Sequence, residues 1–278
     1  MAPRSIPAIR RLQLGRALRE WRNTAGLTID QCAGDFDMSR STLARIEKGQ
    51  NTVHPMVVRG MLELYGVPEE ERAILVEVAR EAVRRNRNLI EGVSADSYPA
   101  LESEAVAVRN FELALVPGLL QTEDYARALF VVGDTRERNR NLRIRMSRGQ
   151  RLSEEEPLRL HTIADELALT RPVAKPAVLA AQLRRLGELA ELPHVTLQIV
   201  PATVGMHPGI TGAFNILTFP KDTVGDLGYV DHAGGHLQLV KKVQVDELEV
   251  KFNQLARIAL GERESRDLTA RLARELSS

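Results

Sequence analysis

Cysteine is nearly absent. Cys32 is the only one in 278 residues, so an internal disulfide framework is excluded. Its place in a helical pattern suits a small buried hydrophobe rather than a reactive thiol, and a reducing cytoplasm is the expected compartment. The opening MAPRSIPAIRR lacks an apolar stretch of signal-peptide length, which leaves export by that route without support. A membrane-spanning run is missing too. The longest segment without Asp, Glu, Lys or Arg, residues 192–220, is long enough to cross a bilayer if apolar and helical. Pro193, Pro201 and Pro208, with Gly205, Gly209 and Gly212, break it into strands and turns. No membrane partner is expected.

Net charge is also scarce, at +1, and by itself neither favours nor excludes nucleic acid. Its distribution says more. Over residues 1–60, ten Lys or Arg face five Asp or Glu, so the rest of the chain is net negative. An asymmetry of this kind suggests a nucleic-acid-binding end, although an ordinary charged surface produces the same imbalance. The apolar fraction, 44%, is enough to bury a core in each of two domains.

Leu14, Leu18 and Trp21 repeat at helical spacing before Gly26, which predicts an amphipathic helix over 11–25 with a C-terminal glycine stop. Thr28 caps a second, short helix carrying Ile29, Cys32, Ala33 and Phe36. Ser39 caps a third, with Leu43 and Ile46 inward and Gly49 closing it. Residues 55–65 and 68–87 continue as a fourth and fifth helix, the last led by Pro68 and an acidic first turn of Glu69, Glu70 and Glu71. The expectation is an all-α five-helix domain over 1–88. The run RRNRNLIEGVSADSYP loses apolar periodicity, and a linker is placed at 89–99.

Beyond it, residues 101–111, 122–132 and a basic stretch at 136–153 read as helices. The period then changes. Residues 158–163, 195–200, 214–219, 227–230 and 236–240 read as strands between Gly and Pro clusters, with helices over 177–191 and 246–260. The whole is an α+β fold, its C-terminal domain at 100–278 a mixed α+β unit with a small, mostly antiparallel sheet.

The segment LTIDQCAGDFDMSRSTLARIEKG, residues 27–49, resembles the Xre and Cro type of helix-turn-helix repressor. Two short helices joined by a tight turn brace the second so that its N-terminal residues reach base edges. Small Ala33 fits the helix crossing, while Leu43 and Ile46 anchor the reading helix. The resemblance implies that Arg40, Ser41 and Arg45 read bases, and that Thr28, Ser39, Thr42 and Lys48 contact phosphate. An arginine donating to guanine O6 and N7 discriminates by about 1–3 kcal/mol. It also implies that Arg22 of the first helix pairs with Glu47 at the end of the reading helix and orients it; the alternative is two unrelated surface charges. One departure stands out, since Ile29 occupies the place where such repressors commonly carry a phosphate-gripping glutamine.

Three later motifs, VPGLLQTEDYARAL at 116–129, DELALTRPV at 165–173 and the stretch 192–219, are similar to the antitoxin-like domain of uncertain function behind Xre-type readers in actinobacterial regulators. That resemblance implies a regulator that pairs with a small partner protein. Within the motifs, Thr122 ahead of Glu123 and Asp124 is a helix start that docks against the core. Met206, His207 and Phe214 lie in a turn-rich stretch that either rims an effector or partner pocket or connects a hairpin, the hairpin being favoured.

His232 and His236 have metal-pair spacing, but Gly234 and Gly235 between them argue against the helix such a pair needs. No nucleophile elbow, phosphate loop or Cys/His cluster is present. The expectation is a cytoplasmic, nucleoid-associated regulator, not an enzyme, with no cofactor and no metal. Its partners are double-stranded DNA, a second copy of itself, and a small-molecule effector or small partner protein.

Overall fold

The computed structural model describes residues 7–83, 97–220 and 225–277. The chain forms two compact units that divide between Glu104 and Ala105, with Pro220 grouped with the first. Of the expected linker, residues 89–96 lie outside the described residues, as do 84–87 at the end of the expected fifth helix.

The first unit contains α1 (Pro7–Thr24), α2 (Ile29–Asp35), α3 (Arg40–Glu47), α4 (Pro55–Leu64), α5 (Glu69–Ala82) and a short α6 (Tyr98–Glu102). Its core joins Leu14 and Leu18 of α1, Cys32 and Ala33 of α2, Leu43 and Ile46 of α3, Val58, Met61 and Leu62 of α4, and Leu75, Val78 and Ala79 of α5. α1, α3, α4 and α5 supply residues at i, i+3 or i+4 spacing, so one stripe of each is removed from water. Trp21 packs on the rim of this core, and its indole N–H donates to Glu71 Oε1 at 3.2 Å.

The second unit has β1 (Ala107–Glu112), α7 (Glu123–Leu129), α8 (Thr135–Gly149), β2 (Arg159–Asp165), α9 (Glu166–Thr170), α10 (Pro176–Leu189), β3 (Val195–Val200), β4 (Phe214–Thr218), β5 (Leu227–His232), β6 (Gly235–Leu239), α11 (Lys242–Ile258) and α12 (Glu262–Glu275). The six strands form one sheet in the order β3-β2-β1-β4-β5-β6. The pairs β1–β2 and β2–β3 are parallel, whereas β1–β4, β4–β5 and β5–β6 are antiparallel. The expected small, mostly antiparallel sheet is therefore corrected to a mixed one of six strands.

The source of that error is β1. Residues 101–111 read as one helix, but the helix ends at Glu102 and the chain enters the sheet at Ala107. Val108, Asn110 and Phe111 are all buried, as befits a strand covered on both faces. Once β1 occupies the middle of the sheet, β2 and β3 pair beside it in parallel, with helices in the crossovers that parallel pairing requires. Residues 204–214 likewise do not connect a hairpin, because β3 sits at one edge of the sheet and β4 pairs with β1.

One face of the sheet packs Phe111, Ile163, Phe214 and Ile216 against Val245, Leu248, Phe252 and Leu255 of α11. The outer edge of β3 is closed by the segment around α12, which the sequence reading did not anticipate. Ile199 N–H donates to Ser265 Oγ at 3.0 Å, and Ile199 C=O accepts from Leu260 N–H at 2.8 Å. Those bonds occupy backbone groups that an open edge strand leaves unpaired.

Candidate nucleic-acid interface

The site begins at the two helix starts. Thr28 caps α2 in a reciprocal box: Gln31 N–H donates to Thr28 Oγ1 at 3.3 Å, and Thr28 N–H donates to Gln31 Oε1 at 2.9 Å. Ser39 caps α3, its Oγ accepting from Thr42 N–H at 3.1 Å, with the Ser41 and Thr42 hydroxyls at 2.9 and 2.8 Å. Each cap stabilises its helix by about 1 kcal/mol and satisfies an amide that has no partner within the helix.

Between the helices the chain turns over Asp37, whose φ of 50° lies in the left-handed region. Met38 N–H reaches back to Ala33 O at 2.8 Å and Asp37 N–H to Gly34 O at 3.2 Å, closing α2 in the pattern that glycine usually serves. This turn sets α3 across α2, with Cys32, Ala33, Leu43 and Ile46 buried beneath.

A second brace comes from α1. The Arg22 guanidinium donates through Nε to Glu47 Oε1 at 2.6 Å and through Nη2 to Glu47 Oε2 at 3.0 Å, while Nη1 reaches Leu27 O at 2.9 Å. Both partners are buried, and the bond to Glu47 holds the Arg22 guanidinium above its ordinary pKa. α1 and α3 approach so closely that a Cβ added at Gly15 would lie 2.5 Å from Ile46 O and 2.7 Å from Glu47 O. Gly49, at φ 71°, ends α3 where a Cβ would lie 2.9 Å from the Leu12 backbone. The sequence reading named Ala33 as the small crossing residue and missed Gly15; an unexplained glycine inside a helical pattern was the available signal.

The opposite side of α3 faces solvent. Arg40, Ser41, Arg45 and Lys48 are exposed, and Thr42 is half-buried. Arg40 Nη1 pairs with Asp30 Oδ2 at 2.5 Å, a partner the sequence reading did not name, and Arg45 Nε donates to Ser41 O at 3.3 Å. The structure thus gathers Ser39, Arg40, Ser41, Thr42, Arg45 and Lys48 on one helix, with Thr28 at the start of its neighbour.

Met206, His207 and Phe214 are not gathered in this way. Met206 is 80% exposed, whereas His207 and Phe214 are buried on Phe111. His207 Nδ1 accepts from Gly209 N–H at 3.2 Å, which leaves Nε2 to donate to Asp165 Oδ2 at 3.1 Å. His207 therefore ties the 204–214 segment to the end of β2. The VPGLLQTEDYARAL segment docks through Tyr125, whose hydroxyl accepts from Val116 N–H at 3.2 Å, and through Gln182, whose side chain bonds Thr122 N–H and Leu120 O at 2.7 and 2.8 Å. His232 closes β5, and His236 of β6 stacks on Tyr229 of β5 with ring centroids 5.0 Å apart. Among the described residues no group of three His, Cys, Asp or Glu is placed to hold a metal ion, and no helix is long and apolar enough to cross a membrane.

An all-α unit with a capped, doubly braced and polar-faced third helix defines a helix-turn-helix DNA-binding regulator. A family model described as a helix-turn-helix domain matches residues 13–75. A second, described as domain of unknown function DUF5753, matches residues 95–271, and the chain belongs to that family. No curated protein and no solved structure matches it.

Proposed function

We propose that this chain is an Xre/Cro-type transcriptional regulator that binds duplex DNA as a homodimer in the cytoplasm, at the nucleoid. In this reading α3 enters the major groove, Arg40, Ser41 and Arg45 meet base edges, and Thr28, Ser39, Thr42 and Lys48 contact phosphates. The observation that carries it is the division of α3. Leu43, Ile46 and Glu47 are buried, while Arg40, Ser41 and Arg45 on its other side are exposed. Arg40 leaves the Asp30 pair on binding, and an exposed ion pair of this kind is worth at most about 1 kcal/mol. The C-terminal domain receives an effector or holds the two copies together. The protein acts by binding alone, with no catalytic step and no cofactor.

Footprinting on the region upstream of its own gene tests this reading. A protected site with two related halves supports it; no protection at any salt concentration sinks it. Purification from the native host separates the two roles of the C-terminal domain. A small second protein co-purifying in stoichiometric amount favours the antitoxin-like arrangement over a small-molecule effector.

A further inference from the structure

A polar row crosses the middle of the sheet, where apolar side chains are the rule. Thr162 of β2 donates to Asn110 Oδ1 at 2.8 Å, and Asn110 Nδ2 donates to Asn215 Oδ1 of β4 at 2.9 Å. Thr162 and Asn110 are 0% and 5% exposed. Two residues on, along the same face of β1, stands Glu112, whose Oε1 accepts from Asn110 Nδ2 at 3.3 Å. Glu112 is the last residue of β1. It stands beside Ala164 of the parallel β2 on one side and just past Phe214, the first residue of the antiparallel β4, on the other. In open α/β sheets ligands bind beyond the carboxyl ends of parallel strands, and the parallel β1 and β2 both end here.

Two arginines from α8 lie beside Gly118, within electrostatic reach of that end. Arg145 and Arg148, at i and i+3, share one helix face and both act electrostatically on Glu112. Their guanidiniums lie 3.2 and 3.3 Å from where a Cβ on Gly118 would sit, so the glycine leaves them room. Arg145 is held in place by Gln121 Oε1 at 2.6 Å and by the Phe130 ring at 5.4 Å. A fixed pair of guanidiniums suits a planar or tetrahedral oxyanion.

We infer that Arg145, Arg148, Glu112 and Asn110 form the effector site of the C-terminal domain, and that its ligand is a small molecule carrying a carboxylate or phosphoryl group seated on the two arginines. This rests on the reading of that domain as a sensor. Glu112 then serves as a proton-linked contact. Burial pushes its carboxyl up to about 7. Asn110, Arg145 and Arg148 oppose that rise, Asp231 of β5 adds to it, and Tyr125 of α7 also faces the group. The protonated carboxyl donates a hydrogen bond to the ligand, whereas the ionised one repels it.

The test is thermal unfolding of the full chain titrated with sodium sulfate or sodium acetate, against sodium chloride at matched ionic strength, at about pH 6 and about pH 8. Neither probe titrates in that range. The expected result is a saturable rise in the midpoint with at least one probe. Its apparent affinity should be about tenfold weaker at the higher pH. Sulfate alone points to a phosphoryl ligand and acetate alone to a carboxylate. Glu112→Gln should bind with the same affinity at both pH values, and Arg148→Gln should lose the rise. No saturable rise with either probe overturns the proposal. So does an equal rise in Arg148→Gln, because general exclusion of sulfate from the protein surface then explains it. If the Arg148 variant does not fold, Glu112→Gln decides alone, and an unchanged pH dependence in it is the overturning result. No DNA enters this experiment, so loss of the operator-binding reading leaves its outcome standing.

Discussion

Arg22 and Glu47 meet in a two-point ion pair, at 2.6 and 3.0 Å, with side chains only 9% and 5% exposed. One partner comes from α1 and the other is the last residue of α3, so the pair fixes α3 to α1. Arg22→Ala strands the Glu47 carboxylate in the core and should destabilise the protein by about 3–5 kcal/mol. Replacing both partners together, Arg22→Met with Glu47→Leu, should cost far less, because neither charge is then left buried. Urea unfolding midpoints of the two proteins decide. Equal losses in both would mean that packing, and not the charge pair, carries the stability.

Arg40→Ala and Arg45→Ala should each weaken specific DNA binding by about 1–3 kcal/mol and relax base preference at one position. Their unfolding midpoints should stay within about 0.5 kcal/mol of the parent, since both side chains are exposed. Gel-shift titrations on operator and scrambled duplexes measure both effects. Parent-like discrimination by either variant would remove that residue from the reading face.

Asp37 holds a left-handed conformation that a side chain disfavours by about 1–2 kcal/mol. Asp37→Gly should therefore stabilise the first unit by up to about 1 kcal/mol, glycine's greater freedom in the unfolded chain offsetting part of the relief. Gly15→Ala is expected to do the reverse, by about 1–3 kcal/mol, because its methyl would meet the α3 carbonyls. Thermal melts of residues 1–104 and of the full chain test both. A stabilised Gly15→Ala protein would contradict the close approach of α1 and α3.

Glu112 makes stability depend on pH. Its carboxyl titrates at about 7 in the fold against an ordinary 4.5, so the folded state keeps a proton that the unfolded chain has already released. The stability it contributes is greatest below about 4.5, falls as pH rises through about 7, and changes no further above that. Glu112→Gln should gain on the parent across that window and hold a constant advantage beyond it. Denaturant midpoints for the two proteins, followed across the range, should diverge with rising pH; parallel curves would refute the assignment.

Dimerisation is the expected outcome if α3 reads DNA, because one helix-turn-helix gains little discrimination over a genome, whereas two readers at fixed spacing roughly add their contacts. Light scattering should give a dimeric mass for the full chain. The second unit is the expected contact, since the first must keep α3 open and has less apolar surface to spare. A monomer at micromolar concentration, bound as one copy per site, would sink this idea.

The local signals in the sequence marked the first five helices of the first unit, but not α6, which spans the end of the expected linker. Thr28 and Ser39 stand where helices begin, Gly49 where one ends, and the Leu14–Leu18 and Leu43–Ile46 spacings mark inward faces, because caps and periodicity act within a turn or two of the chain. The exposed face of α3 followed from the same spacings. What lay beyond reach depends on residues far apart in sequence. AVRNFE joins the sheet because Arg159–Asp165 and Phe214–Thr218 flank it, about fifty and a hundred residues away, and its local pattern did not distinguish it from the helix just before it. Asp30 meets Arg40, Gly15 meets Ile46, and Asn110 lies between Thr162 and Asn215 only after the chain has packed. Met206, His207 and Phe214 are neighbours in sequence yet differ in burial, because Phe111 of a distant strand covers the last two and leaves Met206 to solvent. Capping and helical periodicity are properties of a short segment, whereas strand pairing, burial and the company a charge keeps are set by which segments the packed chain brings together.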